Sequence, residues 1–270
     1  MKYKLIVADL DGTLLDDRQA IGGETRRLID EFRARGGHFS LATGRMEDSC
    51  RKYVEELAIT GPVILYNGAK VVDLRQDREY FAASLDLETA RVAVAALRAY
   101  PWDVLVYKDG QILVRELTPT LAEYARKDGV PWQVVGDLDA SLDRPPTKIL
   151  IIGDDSEGKF AEFAAACGAS LGRPLNTVRS EVNYLEILPP GASKGAALAE
   201  MVRIIGVSLQ ETVAIGDHLN DLVMVEMAGK GVAVANAHPD LKRRADYVTR
   251  ATDTAGVAEV IRLVLSGAWE

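Results

Sequence analysis

The amino-acid sequence predicts an α/β protein: a parallel-sheet core domain with an α+β domain inserted into it. Short apolar runs alternate with amphipathic helical patterns in the first and last thirds of the chain, and this alternation is typical of βαβ units. The middle third instead carries two apolar runs on either side of Asp109-Gly110, a turn signal typical of an antiparallel hairpin. We therefore expect a core domain over residues 1–82 and 190–270, and an inserted domain over residues 83–189.

The first third contains three predicted strands with helices between them. Leu5–Ala8 is apolar throughout, as expected for a buried parallel strand. A helix is predicted from Glu24 to Arg35, where the apolar residues share one face and Gly36-Gly37 ends the pattern. The remaining predicted elements of this third are a strand at 38–42, a helix at 49–57, and a strand at 62–66 that ends at Asn67-Gly68.

The middle block mixes helices with strand pairs, and the alternating pattern resumes after it. The block is predicted to contain helices at 86–100, 120–127 and 156–167, and strands at 104–107, 112–114, 133–135, 148–152 and 184–187. From Ser193 onwards the prediction is a helix at 194–205, a strand at 212–215, a helix at 220–228, a strand at 231–234 and a helix at 257–265. Because the pattern of the first third returns, the middle block is interpreted as an insertion.

Composition excludes several classes of protein. Of 270 residues, 32 are Lys or Arg and 40 are Asp or Glu, so the formal net charge is -8, and an acidic surface repels nucleic acid and anionic membranes. No apolar run approaches the roughly 18 residues that span a bilayer. Cys50 and Cys167 lie far apart, which excludes a disulfide framework and favours a reducing cytoplasm. We expect a soluble cytoplasmic protein that binds neither nucleic acid nor membranes; its oligomeric state is left open.

Three predicted strands of the alternating region end in polar residues. Asp9–Thr13 follows the first strand, Thr43–Arg45 follows the second, and Gly216–Asp221 follows the strand at 212–215. Residues two apart on an extended backbone point the same way, so the side chains of Asp9 and Asp11 are expected to project together. Open α/β sheets bind their ligands at the carboxyl ends of the strands, and these segments are therefore candidates for one site.

The residue types at this predicted edge favour phosphoryl chemistry. Clustered carboxylates repel one another unless a cation lies among them, and Mg²⁺ binds one or two carboxylates together with a phosphate oxygen. Lys194 opens a predicted helix, where the positive helix end and the ammonium both favour an anion. A carboxylate beside a phosphate can also act as a nucleophile.

Four segments together resemble the signature motifs of the haloacid dehalogenase superfamily. They are Asp9–Leu14, Thr43–Arg45, Lys194 and Gly216–Asp221. Each motif alone is weak, but all four in this order are specific. Three further segments, 66–69, 234–237 and 245–249, resemble the Cof-type sugar-phosphatase branch. The resemblance runs through the alternating segments and implies a Rossmann-like core; the middle block matches the cap of that branch in position and size.

The resemblance implies a role for each carboxylate. Asp9 would be the nucleophile, and Asp11 the general acid–base that protonates the leaving alkoxide and then activates water. Mg²⁺ would lie on the Asp9 carboxylate, the Asp11 main-chain carbonyl and the Asp217 carboxylate. Asp221 would act from behind these ligands or through a metal-bound water.

The resemblance also implies which residues hold the substrate. Thr43 and Lys194 would bind the transferring phosphoryl group, with Asn220 nearby. Arg45 and Asn67 are weaker candidates for contacting phosphate or substrate, and for Arg45 a purely structural pairing is an equal alternative. A simpler interpretation of Lys194 is a solvated lysine in the first turn of a helix, but lysine is unfavourable there unless an anion lies near.

The implied activity is that of a Mg²⁺-dependent phosphatase acting on small phosphate esters, sugar phosphates foremost, through an aspartyl-phosphate. One alternative is a phosphosugar mutase that uses the same chemistry and returns the phosphoryl group to the sugar. Another is a non-catalytic regulator that binds a phosphorylated metabolite. The combination of Asp9, Asp11, Lys194 and Asp217 argues against the regulator, because binding alone needs no nucleophile and no acid. The sequence does not indicate which phosphate ester is preferred.

Overall fold

The computed structural model describes residues 1–269, without the side chains of residues 127 and 128. The strands are β1 (Leu5–Ala8), β2 (His38–Leu41), β3 (Val63–Leu65), β4 (Lys70–Asp73), β5 (Arg78–Ala82), β6 (Asp103–Lys108), β7 (Gln111–Val114), β8 (Trp132–Val134), β9 (Lys148–Ile152), β10 (Thr177–Glu181), β11 (Tyr184–Ile187), β12 (Thr212–Gly216), β13 (Lys230–Ala233) and β14 (Tyr247–Val248). The α-helices are α1 (Gly23–Ala34), α2 (Glu47–Glu56), α3 (Leu87–Leu97), α4 (Pro119–Asp128), α5 (Lys159–Leu171), α6 (Lys194–Ile205), α7 (Leu222–Met227), α8 (Pro239–Arg244) and α9 (Asp253–Leu265).

The chain divides into two compact units. The first consists of Met1–Gly44, Arg51–Phe81 and the segment from Ser193 onwards, and the second of Arg45–Cys50 and Ala82–Ala192. The first unit is therefore assembled from segments that are far apart in sequence.

The first unit is built on a five-stranded parallel sheet with the strand order β14-β13-β12-β1-β2. β1 lies between β12 and β2, with Leu5 opposite both Thr212 and His38. All four residues of β1 are buried, as expected for a central strand covered on both faces. The predicted parallel α/β sheet is confirmed, and the carboxyl ends of β1, β2 and β12 meet at the same edge.

The third predicted strand of the first unit differs from expectation. β3 belongs to a separate three-stranded sheet with β4 and β5, and it pairs antiparallel with β4. Its link to the end of β2 is one isolated parallel bridge between Ala42 and Ile64 and a hydrogen bond of 2.9 Å from Thr43 N to Ile64 O. β4 and β5 were not predicted, because β4 contains only two apolar residues and every residue of β5 is at least partly exposed.

The second unit contains a six-stranded sheet with the order β10-β11-β9-β6-β7-β8. β6 and β7 form the predicted hairpin, and Asp109 and Gly110 occupy its turn with φ values of 53° and 73°. Every pairing described in this sheet is antiparallel except that of β7 with β8. The predicted α+β character of the inserted block is confirmed.

Helices α3 and α5 pack on one face of this second sheet. Val94 of α3 and Phe163 of α5 share an apolar cluster with Ile149 and Ile151 of β9. Trp102 fills the same cluster, with its ring stacked on Tyr100 at a centroid distance of 4.2 Å. The second unit thus has a hydrophobic core of its own.

Helix α3 begins at a charged cap. Asp86 Oδ1 accepts a hydrogen bond of 2.8 Å from Thr89 N, and Asp86 Oδ2 accepts one of 2.7 Å from Arg173. Desolvation would raise the pKa of Asp86, but the hydrogen bonds from Arg173 and Thr89 outweigh it and lower the pKa to about 2.

Replacing Asp86 by Ala should lower the free energy of unfolding of the second unit by about 1–2 kcal/mol at pH 7, since the helix loses its N-cap. The pKa of Asp86 is lower in the folded protein than in the unfolded chain, so this contribution is present above about pH 4 and is lost as the pH falls towards 2. Urea denaturation of wild type and variant at pH 7 and pH 3 measures both effects. Asp86→Asn is the control, because the amide still caps the helix but carries no charge. Equal stability of Asp86→Ala and wild type at pH 7 would contradict this assignment.

Candidate active site

The end of β1 places Asp9 in the interior of the first unit. Asp9 N donates a hydrogen bond of 2.9 Å to Ile215 O of β12, and Asp9 is only 6% exposed. The chain then turns at Gly12, whose φ of 75° favours glycine. A Cβ at Gly12 would lie 2.6 Å from Asp217 Oδ2. Glycine therefore lets the loop after β1 approach the loop after β12.

Lys194 joins two of the predicted site carboxylates. Its Nζ donates hydrogen bonds of 2.7 Å to Asp9 Oδ1 and 2.6 Å to Asp221 Oδ1. The side chain is 0% exposed, so Lys194 is not the solvated lysine of the simpler interpretation. Its position at the start of α6 is fixed by Ser193, which caps the helix by accepting a hydrogen bond of 3.1 Å from Ala196 N.

Asp221 shapes the loop that follows β12. Its Oδ2 accepts hydrogen bonds of 3.0 Å from Asp217 N and 3.1 Å from His218 N. A Cβ at Gly216 would lie 2.5 Å from the same oxygen, so the glycine allows Asp221 to fold back onto the loop. Both carboxylate oxygens of Asp221 are thus used, one by Lys194 and the other by the backbone.

Asp217 completes a cluster of three carboxylates. Asp9, Asp217 and Asp221 each offer a carboxylate oxygen within 4.8 Å of the others. Asp217 Oδ1 also accepts a hydrogen bond of 2.8 Å from Thr13 Oγ1. The arrangement sets three acidic groups around the ammonium of Lys194.

The crowding shifts the pKa values of this cluster. Burial, reinforced by the charge of Asp221, raises the pKa of Asp217 to about 7. Burial also raises the pKa of Asp9 well above its usual value, although Lys194 opposes the shift. For Lys194, burial would lower the pKa, but the charges of Asp221 and Asp9 raise it above its usual value. Lys194 therefore stays charged. One ammonium does not neutralise three carboxylates, so ionising all three at once is unfavourable.

The donor set fits a hard divalent cation. The clustered ligand atoms are carboxylate oxygens, which Mg²⁺ and Ca²⁺ prefer, rather than the sulfur and imidazole nitrogen of most zinc sites. Because Asp221 is already occupied by Lys194 and the backbone, Asp9 and Asp217 are the residues that would hold the ion. A cation there would offset the excess negative charge of the cluster.

Asp11 is not one of the three clustered carboxylates, and Gln19 contacts its side chain. Its carboxylate Oδ1 accepts a hydrogen bond of 3.3 Å from Gln19 Nε2. Gln19 has a φ of 59°, and its carbonyl accepts a hydrogen bond of 3.4 Å from Tyr53 OH. The structure therefore unites Asp9, Asp217 and Asp221, whereas the side chain of Asp11 is turned towards Gln19.

Thr43, Asn67 and Asn220 are linked to one another. Thr43 follows β2 and is 1% exposed, and its carbonyl accepts a hydrogen bond of 3.0 Å from Asn67 N. The side chain of Asn67 in turn accepts a hydrogen bond of 3.0 Å from Asn220 Nδ2. A Cβ at Gly68 would lie 3.0 Å from Lys194 N. These contacts bring the segment after β3 beside Thr43 and Lys194, the residues implied to bind phosphate. Asn67 of this segment was only a weak candidate for contacting phosphate or substrate.

Arg45 belongs to a different part of the structure. It is 4% exposed and lies in the segment Arg45–Cys50, which groups with the second unit. Its role in contacting phosphate or substrate stays a prediction.

Three residues at the site were given no role by the sequence. Thr13 holds Asp217, Gln19 holds Asp11, and Asn236 Nδ2 donates a hydrogen bond of 2.7 Å to Gly12 O. Thr13 and Asn236 lie inside segments that carry the family resemblance, and this position could have marked them as site residues. Gln19 lies outside every motif, and nothing in its surrounding sequence indicates a contact with Asp11.

Comparison with known proteins agrees with this geometry. The family model of haloacid dehalogenase-like hydrolases matches residues 6–261. The chain belongs to this family. It is 31% identical over 273 residues to the putative phosphatase YxeH of Bacillus subtilis, covering 98% of this chain and 99% of that protein. It is 30% identical over 237 residues to the HMP-PP phosphatase of Cronobacter sakazakii, covering 86% and 84% of the two chains.

A solved structure supports the same assignment. A haloacid dehalogenase-like hydrolase from Bacteroides thetaiotaomicron superposes with a TM-score of 0.84 at 31% sequence identity, covering 97% of this chain and 99% of that one. The predicted membership of the haloacid dehalogenase superfamily is confirmed, and this member is a phosphatase. Among the helices described for this haloacid dehalogenase-like hydrolase, none is both long and apolar enough to span a membrane.

The affinity of this hydrolase for a divalent cation should rise with pH through the neutral range. Asp217, with a pKa of about 7, must lose its proton to bind the ion. For one such proton the affinity rises about tenfold between pH 6 and pH 8. Isothermal titration with MgCl₂ at pH 6, 7 and 8 measures the effect. Asp217→Asn should remove most of the binding, whereas the control Asp30→Asn, at a carboxylate that is 72% exposed on α1, should not. A pH-independent affinity would contradict a role for Asp217 as ligand.

Proposed function

We propose that this phosphatase is a Mg²⁺-dependent phosphomonoesterase that acts on small phosphorylated metabolites, foremost sugar phosphates, through an aspartyl-phosphate. The observation that carries the proposal is the buried ammonium of Lys194 between Asp9 and Asp221, with Asp217 in the same cluster. One small volume would thus supply Asp9 as the carboxylate nucleophile, Lys194 as a cation for a phosphoryl oxygen, and Asp9 with Asp217 as carboxylates for a metal. The relatives named as phosphatases support the reaction class.

Asp9 and Asp217 would hold Mg²⁺ through their carboxylates, and Asp11 through its main-chain carbonyl. The ion would neutralise charge on the phosphoryl oxygens and orient the group for attack. Asp221 keeps the loop after β12 in place through the amides of residues 217 and 218, and it keeps Lys194 aimed at Asp9.

In the first step, a carboxylate oxygen of Asp9 attacks phosphorus and the ester P–O bond breaks. The departing alkoxide takes a proton from the carboxylic acid of Asp11. In the second step, a water oxygen attacks phosphorus while Asp11 takes a proton from the water. The P–O bond to Asp9 breaks, so that inorganic phosphate is released and the Asp9 carboxylate is restored. The hydrogen bond from Gln19 to Asp11 Oδ1 orients this carboxyl group between the two steps.

Lys194, Thr43 and Asn220 would bind the phosphoryl group. Each carries a donor, and phosphoryl oxygens accept hydrogen bonds. Lys194 provides the full charge in a buried setting, where an electrostatic interaction is stronger than in water. Arg45 and Asn67 complete the set as proposed substrate contacts.

The inserted domain, over residues 83–189, would act as a cap that governs which ester is accepted. The proposed chemical residues all lie outside that interval, since Asp9, Asp11 and Thr43 precede it and Lys194 and Asp217 follow it. We also propose a cytoplasmic location, since both cysteines are free thiols, as is usual in a reducing compartment.

Asp9→Asn should lower the turnover number at least about 10³-fold while the protein remains folded, because an amide is a far poorer nucleophile than a carboxylate. Release of inorganic phosphate from a panel of sugar phosphates in the presence of Mg²⁺ measures it. Inorganic phosphate as the product also separates a hydrolase from a phosphosugar mutase, which would yield an isomeric ester. The far-UV circular dichroism spectrum checks the fold, and Asp30→Asn again serves as the control. Turnover near that of wild type in Asp9→Asn would refute the nucleophile.

Excising residues 83–189 and joining the ends with a short flexible linker should reduce discrimination among sugar phosphates. A small aryl phosphate, which needs few contacts with the cap, should lose less activity than a preferred sugar phosphate. Relative kcat/KM values over the same panel give the measurement. A folded shortened protein that keeps the full substrate ranking of the parent would show that specificity does not reside in the insert.

A further inference from the structure

Asn67 and Asn220 form an amide pair in the interior of the first unit. They are 1% and 8% exposed, and Asn220 Nδ2 donates a hydrogen bond of 3.0 Å to Asn67 Oδ1. Asn67 Nδ2 and Asn220 Oδ1 are also buried, and neither has a hydrogen-bond partner among the described residues. A buried polar group without a partner costs about 1–3 kcal/mol. The unpaired donor of Asn67 and the unpaired acceptor of Asn220 therefore lower the stability of the folded protein.

The backbone holds Asn67 in this place. Its φ and ψ of 53° and 32° lie in the left-handed region, which asparagine tolerates better than most residues. The backbone N–H of Asn67 donates a hydrogen bond to Thr43 O. The backbone of the next residue, Gly68, packs against Ser193 and Lys194. The amide pair therefore lies beside Thr43 and Lys194, which are proposed to bind the phosphoryl group together with Asn220 itself.

The chemistry of the two unpartnered groups identifies what completes them. A phosphoryl oxygen accepts hydrogen bonds, so it would satisfy the amide nitrogen and be repelled by the amide oxygen. A hydroxyl group both accepts and donates, so it is complementary to both kinds of unpartnered group. Exchanging the oxygen and nitrogen positions of both amides reverses the hydrogen bond between them, but again leaves one nitrogen and one oxygen. The complement is a hydroxyl in either case.

We infer that the Asn67–Asn220 pair binds a hydroxyl group on the organic part of the substrate. The enzyme would then select phosphate esters of polyols and sugars over esters of plain alkyl alcohols. The inference rests on the proposed function, because Thr43 and Lys194 define where the phosphoryl group lies. The second N–H of Asn220 Nδ2 remains for the phosphoryl group, whereas Asn67 is a specificity residue for the hydroxyl.

Two non-hydrolysable phosphonates test the inference. 3,4-Dihydroxybutylphosphonate imitates glycerol phosphate, and n-butylphosphonate has the same charge and chain length without hydroxyls. Isothermal titration of the Mg²⁺-loaded wild type should give at least about tenfold tighter binding of the dihydroxy compound, as expected for a buried site built for a hydroxyl.

Asn67→Asp should bring the affinity ratio of the two phosphonates close to one. Aspartate still accepts the hydrogen bond from Asn220 and tolerates the left-handed backbone, but it has no N–H to donate. Its added charge opposes the phosphonate group of both compounds, so the ratio of the two affinities, and not either affinity alone, is the measurement. Asn67→Gly, which also tolerates this backbone, provides a second variant. Asn183→Asp, at an exposed position of the second unit, is the control and should keep the wild-type ratio.

Equal affinity of wild type for the two phosphonates, or an unchanged ratio in both Asn67 variants, would overturn the inference alone. Selective binding by a protein that releases phosphate from no ester would uphold it and overturn the proposed function. Failure of both phosphonates to bind would remove the phosphoryl site and overturn both.

Discussion

The buried ammonium of Lys194 is the interaction on which the rest of the candidate site depends. It joins Asp9 at the end of the central strand to Asp221 in the loop after β12. Breaking a buried ion pair by removing one partner leaves an uncompensated charge, which is strongly destabilising. Lys194 thus fixes how the helix α6, the strand β1 and the loop after β12 fit together, and Asp221 passes that constraint to the backbone of residues 217 and 218.

The same cluster of buried charged groups lowers the local stability of the fold. Two carboxylates share one ammonium and a third lies in the same cluster, and burial raises the pKa values of Asp9 and Asp217. A core designed for stability alone would replace such a group with apolar side chains. In the proposed reaction a doubly charged cation and a phosphate dianion would bring charges of both signs into the cluster, which would account for its composition.

Much of this organisation could be predicted from the sequence. β1 and β12 are short apolar runs, whereas the segments between strands have apolar residues at helical spacing. This alternation of strands with amphipathic helices predicts a parallel sheet. The strand ends predicted Asp9 and Asp217 at one edge, and the start of a helix was predicted to bring Lys194 to the same edge. The second sheet was recognisable as a separate block through its Asp109-Gly110 hairpin.

The rest depended on tertiary contacts that leave little trace in the sequence. β10 is a run of partly exposed, mainly polar residues and was missed, since its strand conformation comes from pairing with β11. The bond between Gln19 and Asp11 and the pairing of Asn67 with Asn220 join loops whose backbone angles are set by packing. Residue type alone does not predict that Gln19 and Asn67 have positive φ values.

The central position of β1 has a consequence for biosynthesis. β1 precedes the other described strands in the chain, yet its neighbour β12 follows about two hundred residues later. At a synthesis rate of about 5–20 residues per second, this neighbour emerges from the ribosome roughly 10–40 seconds after β1. Meanwhile the segment Ala82–Ala192, with its own apolar core, has been synthesised in full. The first unit can therefore complete its parallel sheet only after the whole of the segment Ala82–Ala192 has been made, although its central strand was made before that segment.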